Sequence, residues 1–449
     1  MAAWLNLAGQ NLLQYWKQKA TKSTKAKTVI SARVARADFP ILGRDAHDGV
    51  PLVYLDSAAT SQKPSVVMET VAEQELMHNG AVNRGSHILA AESTIAVEDA
   101  RAKVAAFVGA FPDEISWTKN STEALNAVAY TFVNESLDAR RGKKTPFALR
   151  EGDNIVVTRA EHHANLIPWQ EVCRKLGVEL RWLDLMPDGQ IALGTLSVID
   201  GHTRVVAFTH ISNVTGAISP VETIVAAARA VGAFVVLDAC QSTPHIPVDF
   251  HQVDPDFAVF SGHKMMGPTG IGALYVKREL GRRMPPFLTG GSMVELVTME
   301  KTTFAMPPAR FEAGTQPVAQ IVGFGAAVDY LSTVGMKTVA EHEKALTAYT
   351  LEQMRNLDGI RILGPVSAED RVGVIAFDVS GVHPHDVGQI LDASGVAIRV
   401  GHHCAQPIHQ HFGVFASSRV SFGPYNTEDD VNVFLEGLAR VRSYFGVEG

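Results

Sequence analysis

The chain has 449 residues, 46% of them hydrophobic, and a formal net charge of -7. That length exceeds what one growing core holds, so a large domain with a second, smaller one is expected, and an acidic balance without a basic stripe excludes a nucleic-acid backbone as partner. Cys173, Cys240 and Cys404 are the only cysteines, too few for a disulfide framework and consistent with a reducing, cytoplasmic setting; with no uncharged apolar run of about 18 residues, a soluble protein that engages no membrane is expected.

The first 37 residues carry Lys and Arg but no acid before Asp38. They read as a disordered basic arm, ahead of a transit peptide or a translated upstream tail, because Trp4, Leu5, Leu12, Leu13 and Trp16 allow only a short amphipathic turn or two. In "KNSTEALNAVAY" (119–130), Ser121 and Thr122 open an apolar-periodic helix. They serve there either as an ordinary N-cap or as an anion cradle. The polar, aperiodic stretch 134–154 reads as a surface loop. "NIVVTR" (154–159), "VELRWLDL" (178–185), "RVVAFTH" (204–210), "AFVVLDA" (233–239) and "FAVFSG" (257–262) read as strands, with helical patterns such as 221–232 between most of them. Near-continuous apolar strands separated by helices imply an α/β fold built on a mostly parallel sheet covered on both faces. From about residue 320 the pattern changes to helices over 317–333 and 337–356, then "VGVIAFDV", a helix over 384–394, "GVAIRV", "SSRVSF" and a terminal helix. The resulting division is an arm over 1–37, a large domain over 38–310 and a smaller α+β domain over 311–449 that carries the Cys404 loop.

Several residues in this frame invite chemistry. Lys264 stands in "VFSGHKMMGPTGIGALYV" (259–276), apolar and glycine-rich, directly after a histidine. A lysine entering a core must be paired, deprotonated or chemically used, unless its stem merely lies on apolar surface with the head in water. Asp238 ends an apolar strand with Gln241 three residues on, either as a cap or as a ligand at the carboxyl edge of the sheet. His162 and His163 follow another strand, where a ring can stack on a planar ligand. "RVGHHCAQPIHQHF" (399–412) gathers four histidines around Cys404; its spacing matches no familiar zinc pattern, so no metal is assigned, and a thiol beside histidines in a polar loop is placed to ionise. "GPTGIG" lacks the Lys-Ser/Thr of a nucleotide loop and serves a tight turn, and Thr315 follows a glycine on a loop. An acid at a strand edge, hydroxyls at a helix N-terminus and a lysine after Ser-Gly-His share one economical explanation, a site for pyridoxal phosphate.

These residues stand in motifs that carry a resemblance. Through "YLDSAATSQKP", "NRGSH", "STEALN", "EHHANLIPWQ", "HISNVTG", "LDACQ", "FSGHKMMGPTGIG", "FEAGT" and "RVGHHCAQP", the chain from about Ala37 onward resembles the Suf-type, group II cysteine desulfurases, in the class V branch of fold type I pyridoxal phosphate enzymes. The resemblance implies a seven-stranded, mostly parallel sheet between helices. It implies that Lys264 holds the cofactor as a Schiff base, that Asp238 pairs with the ring nitrogen, that Gln241 bonds the ring hydroxyl and that His162 stacks on the ring. Phosphate would be held by Thr122, Ser261 and His263, with Thr315 supplied by the other subunit of a homodimer. Arg419, assisted by Asn213, would clamp the substrate carboxylate, with Arg399 and His87 also on the substrate side, and Cys404 would receive sulfur from L-cysteine for delivery to a Suf-type scaffold or acceptor protein in iron-sulfur cluster assembly. Cys240 departs from the family pattern, where a smaller residue is common. The rival readings are a selenocysteine lyase acting on L-selenocysteine, a kynureninase or small-molecule aminotransferase, and a metal-binding protein built on the His/Cys cluster.

Overall fold

The structure, a computed structural model, describes residues 36–83 and 85–447. The basic arm lies outside the described residues except at its end, where Arg36–Asp38 forms a 3-10 turn and the Arg36 guanidinium donates to both oxygens of Asp430 at 3.0 Å.

Seven strands form the main sheet: β1 (Ile115–Thr118), β2 (Asn154–Thr158), β3 (Glu179–Leu183), β4 (Thr203–Thr209), β5 (Phe234–Asp238), β6 (Phe257–Ser261) and β7 (Gly272–Val276). Their order across the sheet is β1-β7-β6-β5-β4-β2-β3. Strands β2 to β6 pair in parallel, and β7 runs antiparallel to both β6 and β1. Alternate residues enter opposite cores: Val206, Phe208, Val235, Leu237, Ala258 and Phe260 face one, while Val205, Ala207, Val236, Phe257 and Val259 face the other. With both faces buried, every position must be apolar, which is why the inner strands read as continuous runs.

Two strands were not legible from the apolar runs. β1 is only four residues long and is interrupted by polar Ser116 and Thr118, and β7 hides inside the glycine-rich segment after Lys264. The stretch 134–154 is only partly a loop. The helix that opens after Asn120 continues to Arg140, because Phe132, Val133, Glu135 and Ser136 stay buried and Phe132 packs edge-on against Phe147 and Trp169.

The flanking helices include α1 (Ser65–Met77), α2 (Ile88–Phe107), α3 (Ser121–Arg140), α4 (Ile167–Leu176), α5 (Val221–Ala230), α6 (Val318–Val334) and α7 (Met336–Met354). Beyond them, β8 (Ile360–Leu363), β9 (Val374–Val379), β10 (Arg399–Gly401) and β11 (Ser417–Ser421) form an antiparallel sheet in the order β8-β9-β11-β10, with α8 (Pro384–Ala393) and α9 (Glu428–Tyr444) beside it. A separate apolar core of Ile375, Phe377, Val420, Phe434 and Leu438 holds this layer together. The segment Val53–Asp56 joins the same region: Val53 and Tyr54 pair in parallel with Val396 and Ala397, and Asp56 bridges Ser421.

Candidate active site

Parallel pairing aligns the carboxyl ends of the middle strands. Thr209 stands opposite Asp238, and Asp238 opposite Val259, so the residues that follow converge on one edge of the sheet, where open α/β sheets place ligands. Lys264, Asp238, Gln241 and His162 line a single cleft there, together with Asn213, Ser121 and Cys240. Lys264 enters it from the turn Gly262–Lys264 that ends β6, closed by the amides of Met265 and Gly267 donating to the Gly262 carbonyl at 2.8 and 2.9 Å. Glycines permit this turn by close approach: a Cβ on Gly267 would sit 2.9 Å from the Gly262 carbonyl oxygen, and one on Gly272 would sit 2.8 Å from the Asn120 Cα. Either would push the lysine or the α3 N-terminus out of place.

Asp238 is buried, and its Oδ1 accepts from the Cys240 amide at 3.0 Å. The two readings of this acid therefore coexist, a local turn bond on one oxygen and a place in the cleft. His162 is fixed by the Ala164 amide donating to its Nδ1 at 3.0 Å, which puts the proton of the neutral ring on Nε2. Burial first, and the Lys264 ammonium second, push its pKa down to about 4 against the opposing pull of Asp238, so the ring is neutral near pH 7. His163 faces away from the cleft: its backbone amide donates to the Cys404 carbonyl at 2.7 Å and its Nε2 accepts from the Gln406 amide at 3.1 Å.

The α3 N-terminus is capped by Asn120, whose side chain accepts from the Glu123 amide at 2.9 Å. That assignment leaves Thr122 exposed, while the Ser121 amide donates to Ser261 Oγ at 2.9 Å and Ser261 Oγ donates to Ser121 Oγ at 3.0 Å. Hydroxyls and helix-end amides thus cluster at the sheet edge, an arrangement suited to an anion. His263 lies beside Lys264, and burial, then Lys264 and Lys63, lower its pKa to about 4.

Cys404 occupies the link between β10 and the short helix Gln406–Phe412. His403 and Cys404 both take left-handed backbone angles, with φ of 51° and 56°. Such angles are costly for residues with a Cβ and persist only where the surroundings enforce them. Here the enforcement comes from the His163 amide on the Cys404 carbonyl and from Asn213 Nδ2 donating to the His403 carbonyl at 2.7 Å. The thiol is half-buried, with Arg399 Nη2 at 3.9 Å from its sulfur, and it shares a groove with His162 and Thr122. The other two thiols differ: burial raises both Cys173 and Cys240 to about 12, with Asp238 adding to the shift at Cys240.

The histidines around Cys404 are engaged in structure. His409 Nδ1 donates to the Ala405 carbonyl at 2.9 Å, so its Nε2 accepts from Ser417 Oγ at 2.9 Å, and Ser417 in turn accepts from His403 Nε2 at 3.0 Å. His411 Nε2 donates to the Met186 carbonyl at 2.9 Å. Among the described residues no three His, Cys, Asp or Glu side chains gather as a metal-ligand set.

Arg419 is fully buried on β11 opposite Arg399, and burial lowers its pKa. It donates to the Asn213 carbonyl at 2.9 Å and to Asp56 Oδ1 at 3.0 Å, while its Nε has no partner. Burial raises the Asp56 pKa against the pull of that guanidinium. Asp56 stands in "YLDSAAT", where no local pattern indicates that it meets a residue more than 360 positions away. Two expected residues are not brought to the cleft within one chain. His87 is an exposed cap of α2, its Nδ1 accepting from the Ala90 amide at 3.3 Å. Thr315 is exposed and lines a different cavity with Trp117, Lys119 and Gln316.

Comparisons with known proteins agree with this geometry. A family model described as aminotransferase class-V matches residues 53–434. A protein of Mycobacterium leprae named probable cysteine desulfurase 2 is 52% identical over 425 residues, covering 95% of this chain and 100% of its own length. The cysteine desulfurase CsdA of Escherichia coli, solved in an S-sulfonic acid form, superimposes with a TM-score of 0.82 at 35% identity, covering 93% of this chain and 100% of that one. The apo structure of a cysteine desulfurase from Thermococcus onnurineus gives a TM-score of 0.84 at 35% identity with the same coverage of each chain, 93% and 100%.

Proposed function

Because the chain belongs to the class-V aminotransferase family, we propose that it is a pyridoxal-phosphate-dependent cysteine desulfurase that converts L-cysteine to L-alanine and leaves the sulfur as a persulfide on Cys404. The observation that carries this reading is the convergence of Lys264, Asp238, Gln241 and His162 in one cleft, whose neighbouring groove holds the half-buried thiol of Cys404. The cleft's donor set fits the cofactor: an amine for its aldehyde, a buried carboxylate for a ring nitrogen, a neutral imidazole for its face, and hydroxyls at a helix N-terminus for its phosphate.

Bound there, pyridoxal phosphate supplies an electron sink for the substrate's α-carbon. Lys264 would hold it, and the Lys264 Nζ amine would move the substrate's α-proton. Asp238 would pair with the ring nitrogen. Neutral His162, with Nδ1 tied to the backbone, presents its ring face and Nε2 to the reacting groups. As a thiolate, the Cys404 sulfur, 3.9 Å from Arg399 Nη2, is the nucleophile. That thiolate attacks the substrate sulfur, the substrate carbon-sulfur bond breaks, and the carbon fragment takes up protons to leave as alanine. Asn213 in the cleft and Arg419, which donates to the Asn213 carbonyl, hold the substrate carboxylate.

The exposed Thr315, which lines a different cavity from its own chain's cleft, supports a homodimer in which this threonine completes the phosphate cradle of the other subunit. The half-exposed Cys404 supports transfer of its sulfur to a Suf-type acceptor protein for iron-sulfur cluster assembly. Incubating the holoenzyme with L-cysteine is expected to give alanine and a persulfide on Cys404; with a thiol reductant present to supply the two electrons that release the outer sulfur, sulfide should match alanine in amount, and an acceptor protein should increase alanine formation. Turnover of L-selenocysteine without any turnover of L-cysteine would replace this reading with that of a selenocysteine lyase.

A further inference from the structure

Directly before His162 stands an acid that the mechanism above does not use. Glu161 is fully buried, and its hydrogen-bond partners are neutral donors from three segments. The Thr158 hydroxyl at the end of β2 and the Thr209 amide at the end of β4 donate to its Oε1 at 2.6 and 3.0 Å, and Asn165 Nδ2 donates to its Oε2 at 2.6 Å. Since β2 and β4 are neighbours in the sheet, one carboxyl joins two strand ends to the turn His163–Asn165. Burying an acid among neutral partners carries a desolvation cost that an amide of the same size would avoid.

The donors dictate what this position must offer. Asn165 Oδ1 accepts from the Trp169 indole N-H at 3.1 Å, a group that can only donate, so the Nδ2 end of Asn165 must face Glu161. The Thr209 amide can only donate as well, and the Thr158 hydroxyl, which accepts from the Ala160 amide at 3.1 Å, turns its hydrogen to Glu161. Burial pushes the pKa of Glu161 up to about 8 while these donors pull it down. In either protonation state each carboxyl oxygen keeps a lone pair for the donor it holds. A glutamine could not serve all three: its Nε2 would oppose Asn165 Nδ2 or, flipped, the Thr209 amide.

His162 lies inside the loop that this contact closes. The side chains of Glu161 and Asn165 meet around it, the Asn165 amide donates to the His162 carbonyl at 2.8 Å, and the Ala164 amide donates to His162 Nδ1. We propose that Glu161 is a positioning residue that, through Asn165, ties the His162 turn to the strand ends and so holds the imidazole against the face of the cofactor. This rests on the reading of His162 as the residue stacked on that ring.

The test is the visible circular dichroism of the bound cofactor, which reports its asymmetric surroundings, with cofactor content, Tm and kcat measured alongside. His162→Ala is expected to change the dichroic band. Glu161→Gln should change it in the same direction and lower kcat about tenfold, the effect of setting one buried donor against another. In the His162→Ala background, Glu161→Gln should leave the band where it is. Adding Asn165→Asp to Glu161→Gln rebuilds the contact with its donor and acceptor ends exchanged and keeps an acceptor for Trp169, so band and kcat should return to within about twofold of wild type. Asn165→Ala cuts the same contact from its other side and should change the band likewise, which maintains the test if Glu161→Gln does not fold. A band unmoved by Glu161→Gln and Asn165→Ala while His162→Ala moves it, a change of equal size in the His162→Ala background, or an exchange that restores Tm but not the band overturns the positioning role. A band unmoved by His162→Ala overturns instead the reading of His162, and the positioning role with it.

Discussion

The lysine and the thiol are held by opposite means. Lys264 and Asp238 stand at or just beyond the ends of central parallel strands, where backbone pairing on both sides fixes each position and glycines admit the tight turn. Cys404 sits in a short link with two successive left-handed residues, restrained by hydrogen bonds from His163 and Asn213 at its carbonyls. The difference matches what each group must do. An amine and an acid that shift protons on one bound molecule must hold their geometry through the whole reaction. A thiol that collects sulfur in the cleft and surrenders it elsewhere must be reachable from both sides, and a half-buried link at the rim provides that access.

The comparison is broken most severely at its rigid end. Lys264→Ala removes both the anchor and the base, and alanine formation is expected to fall by at least about 10³-fold; alanine assays at saturating cysteine check this. Asp238→Asn keeps the shape but loses the charge at the ring nitrogen, with an expected loss of roughly 10²-fold, equivalent to a charge-assisted interaction of about 3 kcal/mol. Cofactor absorbance should persist in this variant, and normal turnover with cofactor bound would return Asp238 to the role of a turn-forming residue only.

Thiol chemistry sharpens the contrast without touching catalysis. With their pKa values pushed up to about 12, Cys173 and Cys240 present a thiolate fraction of about 10⁻⁴ at pH 8. Brief iodoacetamide treatment at that pH, read by peptide mass spectrometry, should label Cys404 and spare both others. A label on Cys240 would mean that the cleft contains a second reactive thiol.

The smallest expected effect concerns stability. His210, directly after β4, is buried with its Nδ1 unpartnered, and burial lowers its pKa to about 4. The unfolded chain therefore takes up a proton near pH 6.5 that the folded protein refuses until about pH 4. This site's contribution is complete above pH 6.5 and is lost as pH falls toward 4, amounting to about 2 kcal/mol between pH 7 and pH 5. His210→Gln should accordingly show a smaller drop in Tm over that interval than wild type.

The strand-end chemistry was legible in the sequence because apolar runs mark buried strands, and an acid or a lysine just past such a run has few places to go. Asp238, Lys264 and the five parallel strands followed from that logic. β1 and β7 did not, since short or glycine-interrupted strands carry no periodic signal, and the α3 extension to Arg140 was hidden by its polar face. The pairings of Arg419 with Asp56 and of His245 with Glu343 depend on tertiary contacts across long separations. Local pattern holds no information about them. Nor could it tell that three of the four histidines near Cys404, His403, His409 and His411, would be engaged by backbone carbonyls and the Ser417 hydroxyl.

The division of labour between lysine and thiol is tested most directly by Cys404→Ala holoenzyme mixed with L-cysteine. Binding and proton movement belong to Lys264 and its cleft, so the variant should keep its colour and still change its absorption spectrum on mixing. No persulfide should appear on the intact protein by mass spectrometry, and sulfide release in the presence of a thiol reductant should fall at least tenfold, since general and nucleophilic steps of this kind contribute about 10²-fold or more. Sulfide released at the wild-type rate by this variant would contradict the account, and a persulfide on Cys240 would show where the sulfur goes instead.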